Sequence, residues 1–159
     1  MNKIVSFLIL VFLASCAGKA QDSSEDNKNY KITKTASQWK KELTPAQYSV
    51  LREAGTERPF SSPLDKNKKV GTFVCAACKT PLYASKDKFD SGTGWPSFDR
   101  SIKENVLLDT DYKIGYARTE LKCNTCGSHL GHSFDDGPKN TTGKRHCING
   151  VALKFIAKK

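Results

Sequence analysis

Two C-x-x-C pairs, Cys75-Ala76-Ala77-Cys78 and Cys123-Asn124-Thr125-Cys126, restrict the fold more than any other feature of the chain. Two intervening residues let both thiolates of a tight turn point at one ion, and two such turns close a tetrahedron. Residues 79 to 122 separate the pairs, more than a compact zinc ribbon needs, so strands must bring the turns together. Two identical knuckles suit one shared, closed, structural zinc ion, with iron as the rival for four thiolates. Two disulfides are a competing use in an oxidising compartment. A redox couple in one pair is another, but the βαβ unit expected beside one is absent.

Around the knuckles the sequence reads as mainly β. Glycine or proline interrupts the chain every few residues from Pro59 to Gly150. Short strand-like runs lie between the breaks: Val70 to Val74, Leu82-Tyr83, Lys113 to Lys122 and Arg145 to Ile156. That punctuation predicts an antiparallel domain with one or two short helices at its front. Residues 39 to 43 fit a helical turn or two. Thr44 is the N-cap of the next helix, Pro45 suits its first position, Gln47 completes a capping box, and Gly55 stops it.

The chain opens with a different composition. Lys3 precedes an apolar stretch from Ile4 to Leu13, followed by Ala14-Ser15-Cys16. Ten apolar residues are too few to span a bilayer, which takes about 20, but they suit the core of an export signal. Leu13-Ala14-Ser15-Cys16 resembles the bacterial lipobox, in which the cysteine becomes the lipidated first residue. An ordinary signal with an incidental cysteine is the alternative. Residues 17 to 35 are small and polar and read as a tether. The expected organisation is therefore a signal over 1–15, lipidated Cys16 and tether over 16–35, and one folded domain over 36–159. Such a chain is an exported lipoprotein, anchored on the periplasmic or cell-surface side of a bacterial membrane. The net charge is +10, from 26 Lys and Arg against 16 Asp and Glu. The basic residues are scattered and form no basic-aromatic stripe, and export also disfavours a nucleic-acid partner.

Setting aside Cys16 and the two pairs leaves Cys147, in Gly143-Lys144-Arg145-His146-Cys147-Ile148-Asn149-Gly150. On a strand, Arg145, Cys147 and Asn149 share one face. Arg145 favours the thiolate, the nucleophilic form. A buried structural cysteine is the bland reading. His129, His132 and His146 are the chain's three histidines and are suited to proton delivery at neutral pH. The rhythm Cys123-x-x-Cys126-x-x-His129-x-x-His132 also fits metal ligation. Ser91-Gly92-Thr93-Gly94-Trp95-Pro96-Ser97-Phe98 is either a pocket walled by Trp95 and Phe98 or a loop packing its own tryptophan.

Together these stretches resemble the B-type methionine sulfoxide reductases, over about residues 36 to 156. The likeness rests on Gly55-Thr56-Glu57-Arg58-Pro59-Phe60, the knuckles, Asp90-Ser91-Gly92, Gly94-Trp95-Pro96-Ser97-Phe98, His129-Leu130-Gly131-His132-Ser133-Phe134, Asp136-Gly137-Pro138 and Arg145-His146-Cys147-Ile148-Asn149. It implies two antiparallel sheets in a β-tent, with structural zinc on Cys75, Cys78, Cys123 and Cys126 remote from the chemistry. It implies that Cys147 attacks the sulfoxide sulfur of the R epimer and becomes a sulfenic acid. His129, His132 and Asn149 would assist the oxygen, Trp95 would pack on the terminal methyl, and Phe134 and Arg145 would complete the substrate site.

The chain departs from the family pattern in one respect. Many members carry a second cysteine that captures the sulfenic acid, at the position of Thr93 or around residues 60 to 63. No cysteine stands at either place here, so an external, thioredoxin-like thiol is expected to reduce Cys147. His146 stands where the family often has an aromatic residue. A monomer suffices for all of this. The rival from another class is a zinc-stapled, membrane-tethered binding module in which Cys147 is structural.

Overall fold

A computed structural model describes residues 29–159. The signal, Cys16 and most of the tether lie outside the described residues. Among those described, no helix is long and apolar enough to cross a membrane.

Two short helices open the domain: α1 (Ala36–Glu42) and α2 (Pro45–Glu53). Each starts with a capping box, in which a threonine accepts the backbone N–H three residues on and a glutamine reaches back. Thr44 and Gln47 do this as expected, and Thr35 and Gln38 repeat it at α1. The second helix ends one residue before the expected stop, because Ala54 takes the left-handed conformation at φ 50°. Both helices bury one side, through Trp39, Leu43, Val50 and Leu51. Packing starts ahead of Thr35: Ile32 N–H donates to the Thr125 carbonyl at 2.9 Å. Tyr30 covers Gly127 so closely that a Cβ there would lie 2.5 Å from the ring.

Nine strands follow: β1 (Gly71–Cys75), β2 (Pro81–Ala84), β3 (Lys88–Phe89), β4 (Ser97–Phe98), β5 (Val106–Asp111), β6 (Arg118–Cys123), β7 (His129–Phe134), β8 (Arg145–Ile148) and β9 (Leu153–Ala157). They form two antiparallel sheets, ordered β2-β1-β9 and β3-β4-β8-β7-β6-β5. The expected mainly β architecture is therefore observed. Two expected runs are divided differently. Residues 113 to 117 turn the chain between β5 and β6, and of the expected run only residues 118 to 122 are strand. Arg145 to Ile156 breaks at a 3-10 turn over Gly150–Ala152, which moves the chain from the large sheet to the small one.

The sheets share a core of Phe73, Leu82, Tyr83, Phe98, Leu121, Leu130 and Ile148, all fully buried. Tyr83 stacks on Phe98 at 4.3 Å between ring centres, and Phe73 meets Phe98 edge-on at 5.0 Å. Burial of such rings contributes roughly 2–3 kcal/mol each, so this aromatic seam is what holds the sheets face to face. His146 joins it, edge-on to Tyr83 with rings 5.9 Å apart, which is the planar role an aromatic residue would fill.

Candidate active site

The knuckles are two copies of one turn. Cys75 and Cys123 close β1 and β6. Their carbonyls accept the N–H of Lys79 (2.9 Å) and Gly127 (2.8 Å), both at positive φ. The four sulfurs lie within 4.8 Å of one another, with Cys78–Cys123 at 3.5 Å and Cys75–Cys126 at 3.9 Å. A tetrahedral ion with Zn–S bonds of about 2.3 Å needs sulfurs about 3.8 Å apart. The thiolate set and its spacing thus form a structural zinc site, and none of the four is paired as a disulfide. Its ligands come from one hairpin of each sheet, so the metal bolts the sheets together at one end.

Cys147 belongs to a second cluster, built by strand register. It pairs with Ser97 on one side and His132 on the other. His132 pairs with Glu120, and Glu120 with Asp109. Residues directly opposite in antiparallel strands point to the same face. Ser97, Cys147, His132, Glu120 and Asp109 therefore make one row across five strands. Beside it, Phe134 pairs with Arg145, and Arg118 with Asp111. Arg145 grips Asp136 with two hydrogen bonds, at 2.8 and 2.9 Å, and lies 4.5 Å above the Phe134 ring.

His129 is three residues from His132 and on a regular strand would face away. However, Leu121 pairs with Gly131 while Lys122 pairs with His129, which leaves Leu130 as an extra residue. Such a bulge reverses the alternation. It brings the two imidazoles to 5.3 Å on the same face. Gly131 makes the close crossing possible, since a Cβ there would lie 2.0 Å from the Cys147 carbonyl oxygen. Among the described residues, the one cluster that could hold a metal includes neither histidine.

Each histidine leans on a carboxylate. His129 Nδ1 is 2.6 Å from Glu120, and its Nε2 is buried without a protein partner among the described residues. His132 Nε2 is 2.8 Å from Asp111, which Arg118 also holds at 2.5 Å. Burial pushes Glu120 up, but His129 and then Lys122 outweigh it, leaving its carboxyl below the usual range. Asp111 is also pushed up by burial, yet the Lys113 N–H, His132 and Arg118 drive it far below that range. His132 is shifted down, chiefly by burial, and only partly restored by Asp111.

Burial also dominates at Cys147, raising its thiol above the ordinary value although Arg145 and Thr93 pull the other way. Arg145 thus favours the thiolate, as its placement suggests, but does not win. Thr93 belongs to a chain of hydroxyls with Ser91 and Ser97, each contact 2.8 Å. Asn149 leaves the strand alternation because β8 ends at Ile148. Its Nδ2 donates to the Leu130 carbonyl at 3.0 Å, and its Oδ1 accepts the Glu57 N–H at 2.9 Å. It clamps the 55–60 loop to β7. The Glu57 carbonyl accepts the Trp95 indole N–H at 3.2 Å, which leaves Trp95 half-buried at the edge rather than in the core.

Sequence reading did not single out Glu120, Asp111 or Arg118. Nothing in local spacing marks them. Only the pairing of β5 and β6 with the histidine strand does.

The SelR domain family profile matches residues 43–157. Peptide methionine sulfoxide reductase MsrB of Leptospira interrogans is 51% identical over 128 residues, covering 80% of this chain and 97% of that protein. The protein of the same name from Methanosarcina barkeri is 54% identical over 125 residues, covering 78% and 87%. Peptide methionine sulfoxide reductase B1, chloroplastic, of Arabidopsis thaliana is 45% identical over 145 residues, covering 91% and 71%. With the domain matched almost end to end, the chain belongs to the SelR-domain family, the B-type methionine sulfoxide reductases.

Proposed function

We propose that this chain is a peptide-methionine (R)-S-oxide reductase whose nucleophile is Cys147, working through a sulfenic acid. The observation that carries this reading is the separation of sulfurs. Four are consumed by one another in the knuckles, whereas Cys147 stands alone between Ser97 and His132 with Arg145 on its face.

In the proposed step the Cys147 thiolate attacks the sulfoxide sulfur while a proton reaches the oxygen. The oxygen finishes on Cys147 as a sulfenic acid. The cysteine sulfur loses two electrons and the methionine sulfur gains them. Two external thiols then complete the cycle: the first forms a mixed disulfide and releases water, and the second frees Cys147 as their own disulfide forms. Support for an external reductant is that Thr93 offers a hydroxyl to Cys147 and that the other described cysteines are all knuckle ligands. Trp95 and Phe134 supply an apolar edge for the substrate methyl. Zinc contributes structure alone. We further propose that the chain is exported and tethered through a lipid on Cys16, and that it repairs oxidised methionine in exported proteins.

Dithiothreitol-driven reduction of a mixed-epimer methionine sulfoxide peptide tests the activity. Consumption of the R epimer alone is expected, and consumption of only the S epimer would overturn the assignment. Mass spectrometry after one substrate equivalent should find oxidised Cys147 with no intramolecular disulfide; a bond from Cys147 to Cys75 or Cys126 would sink the recycling scheme. No turnover by the wild-type chain would favour the zinc-stapled binding module instead, and unaltered turnover in Cys147→Ser would deny Cys147 the role of nucleophile. Mass analysis of the mature N-terminus, expected to start at a lipidated Cys16, tests the tether.

A further inference from the structure

The ion pair beside His132 closes off the tip of the β5–β6 hairpin. Asp111 lies 2.8 Å from His132 and accepts Arg118 at 2.5 Å, and residues 112 to 117 turn the chain between them. Gly115 N–H donates to the Tyr112 carbonyl at 3.0 Å, which closes the turn. Around it Tyr112, Ile114 and Tyr116 are 68, 51 and 62% exposed. Single apolar side chains on a surface are ordinary, but three large ones within five residues form a patch.

The patch is held in place. Lys113 Nζ donates to the carbonyls of Glu53 at 3.3 Å and Ala54 at 3.1 Å, at the end of α2, and its N–H donates to Asp111 Oδ1 at 2.7 Å. Lys113 is the only charged side chain among residues 112 to 117, and those carbonyls engage it. The tip therefore offers a partner apolar contact rather than charge, and gives up little freedom when covered.

Strand spacing places this patch relative to Cys147. β5 lies three strands from β8 in the row Asp109, Glu120, His132, Cys147, about 14 Å at about 4.8 Å per strand. Tyr112 stands three residues beyond Asp109, about 10 Å further along the chain. The separation is therefore roughly 17 Å, the span of about five residues of extended polypeptide.

We propose that the β5–β6 tip docks the substrate polypeptide, taking an apolar side chain about five residues from the oxidised methionine. This rests on the reductase reading above and deepens it. A methionine within a polypeptide reaches Cys147 only if the chain on either side of it crosses this face. Asp111 joins the tip to His132, so the docking surface and the reacting groups are continuous. The favoured substrate is an oxidised methionine in an apolar stretch of chain; the free amino acid is too short to touch the tip. Because the contact lies far from the reacting sulfur, it acts on binding and not on the chemical step.

The zinc-loaded chain should be assayed with dithiothreitol on free methionine R-sulfoxide and on R-sulfoxide peptides that carry leucine or serine five residues before or after the methionine. At least one leucine peptide should have a KM about tenfold below that of its serine twin, with kcat within about twofold. Tyr112→Ser, Ile114→Ser and Tyr116→Ser made together should erase that gap and leave turnover of the free amino acid unchanged. All three side chains are more than half exposed, so zinc content and melting temperature should stay near wild type. If the triple variant fails to fold, Tyr116→Ser alone should still narrow the gap about threefold. No gap in the wild type, or a gap the variants keep, overturns the proposal. So does a rise in KM for a reduced thioredoxin-type protein while the peptide values stand still, which gives the tip to the reductant. A concentration-dependent dimer that the triple variant abolishes gives it to a second copy of the chain and overturns the proposal too. A wild-type chain inactive on every substrate would sink the reductase reading itself, a result distinct from turnover without a gap.

Discussion

The knuckle end and the Cys147 face use the same atom for opposite ends. At the knuckles, sulfurs face sulfurs, and the nearest side-chain groups, Thr80 and Ser128, are uncharged hydroxyls. At Cys147, no second sulfur approaches among the described residues; a guanidinium and a hydroxyl act on it instead, and His132 pairs with it across the strands. Inertness at one end comes from satisfying every thiolate with one ion. The reactivity proposed for the other rests on leaving one sulfur with partners that move charge but do not bond to it. The contrast teaches that counting cysteines is less informative than asking what each one faces.

Removing either sulfur should separate the two ends. Cys147→Ser should lower turnover by about a thousandfold or more, while zinc content and melting temperature stay near wild type; a comparable loss of metal would erase the distinction. Cys123→Ser opens the closed site, whose ion contributes on the order of 10 kcal/mol to folding. Metal analysis should find no bound zinc, and calorimetry a melting temperature lower by more than about 10 °C. A chain that melts normally without zinc would deny the metal its bolting role. Gly131→Ala forces a Cβ to within 2.0 Å of the Cys147 carbonyl, and strand separation should cost about 1–3 kcal/mol and about tenfold in kcat. Denaturant titration and kinetics on the same sample check both halves. Unchanged values would mean β7 and β8 are not held as tightly as they pack.

Charge gives the finer tests. Because burial raises the Cys147 thiol, its alkylation rate by iodoacetamide should keep climbing beyond the ordinary thiol range near pH 8.5, and Arg145→Gln should move the curve further up. The carboxylate of Asp111 is depressed in the folded chain, so its stabilisation is complete above the unfolded value near pH 4. It is lost as pH falls from there through the folded value, at up to about 1.4 kcal/mol per pH unit. Asp111→Asn should flatten acid unfolding in that window; an unchanged curve would mean Arg118 and His132 do not favour the charged form.

Much of the fold was legible because local chemistry fixes it. Thr44, Pro45 and Gln47 spell a helix start whatever surrounds them, and each C-x-x-C predicts a turn with both sulfurs inward. The misses have a different origin. β5 inverts the usual hydrophobic pattern, with Leu108 exposed and Asp109 and Asp111 half-buried. The tip after it is polar and aromatic together, so its boundary was misplaced. The bulge at Leu130 has no signature in a sequence of small and apolar residues, yet it decides that His129 and His132 share a face. Asn149 was placed by extending a strand that in fact ends one residue earlier. Glu120 and Asp111 could not be found at all without the register. Long-range pairing is a property of the sheet, and no window of a few residues contains it.

The Thr93 hydroxyl beside Cys147 has a kinetic corollary. If Cys147 is reduced only from outside, oxidised methionine and reductant must visit the same half-buried sulfur in turn, through one doorway. Neither can bind while the other is seated. Initial-rate plots at several reductant concentrations should then give parallel lines, the mark of a double-displacement cycle, and between visits the spent enzyme is itself exposed to further oxidation by peroxide.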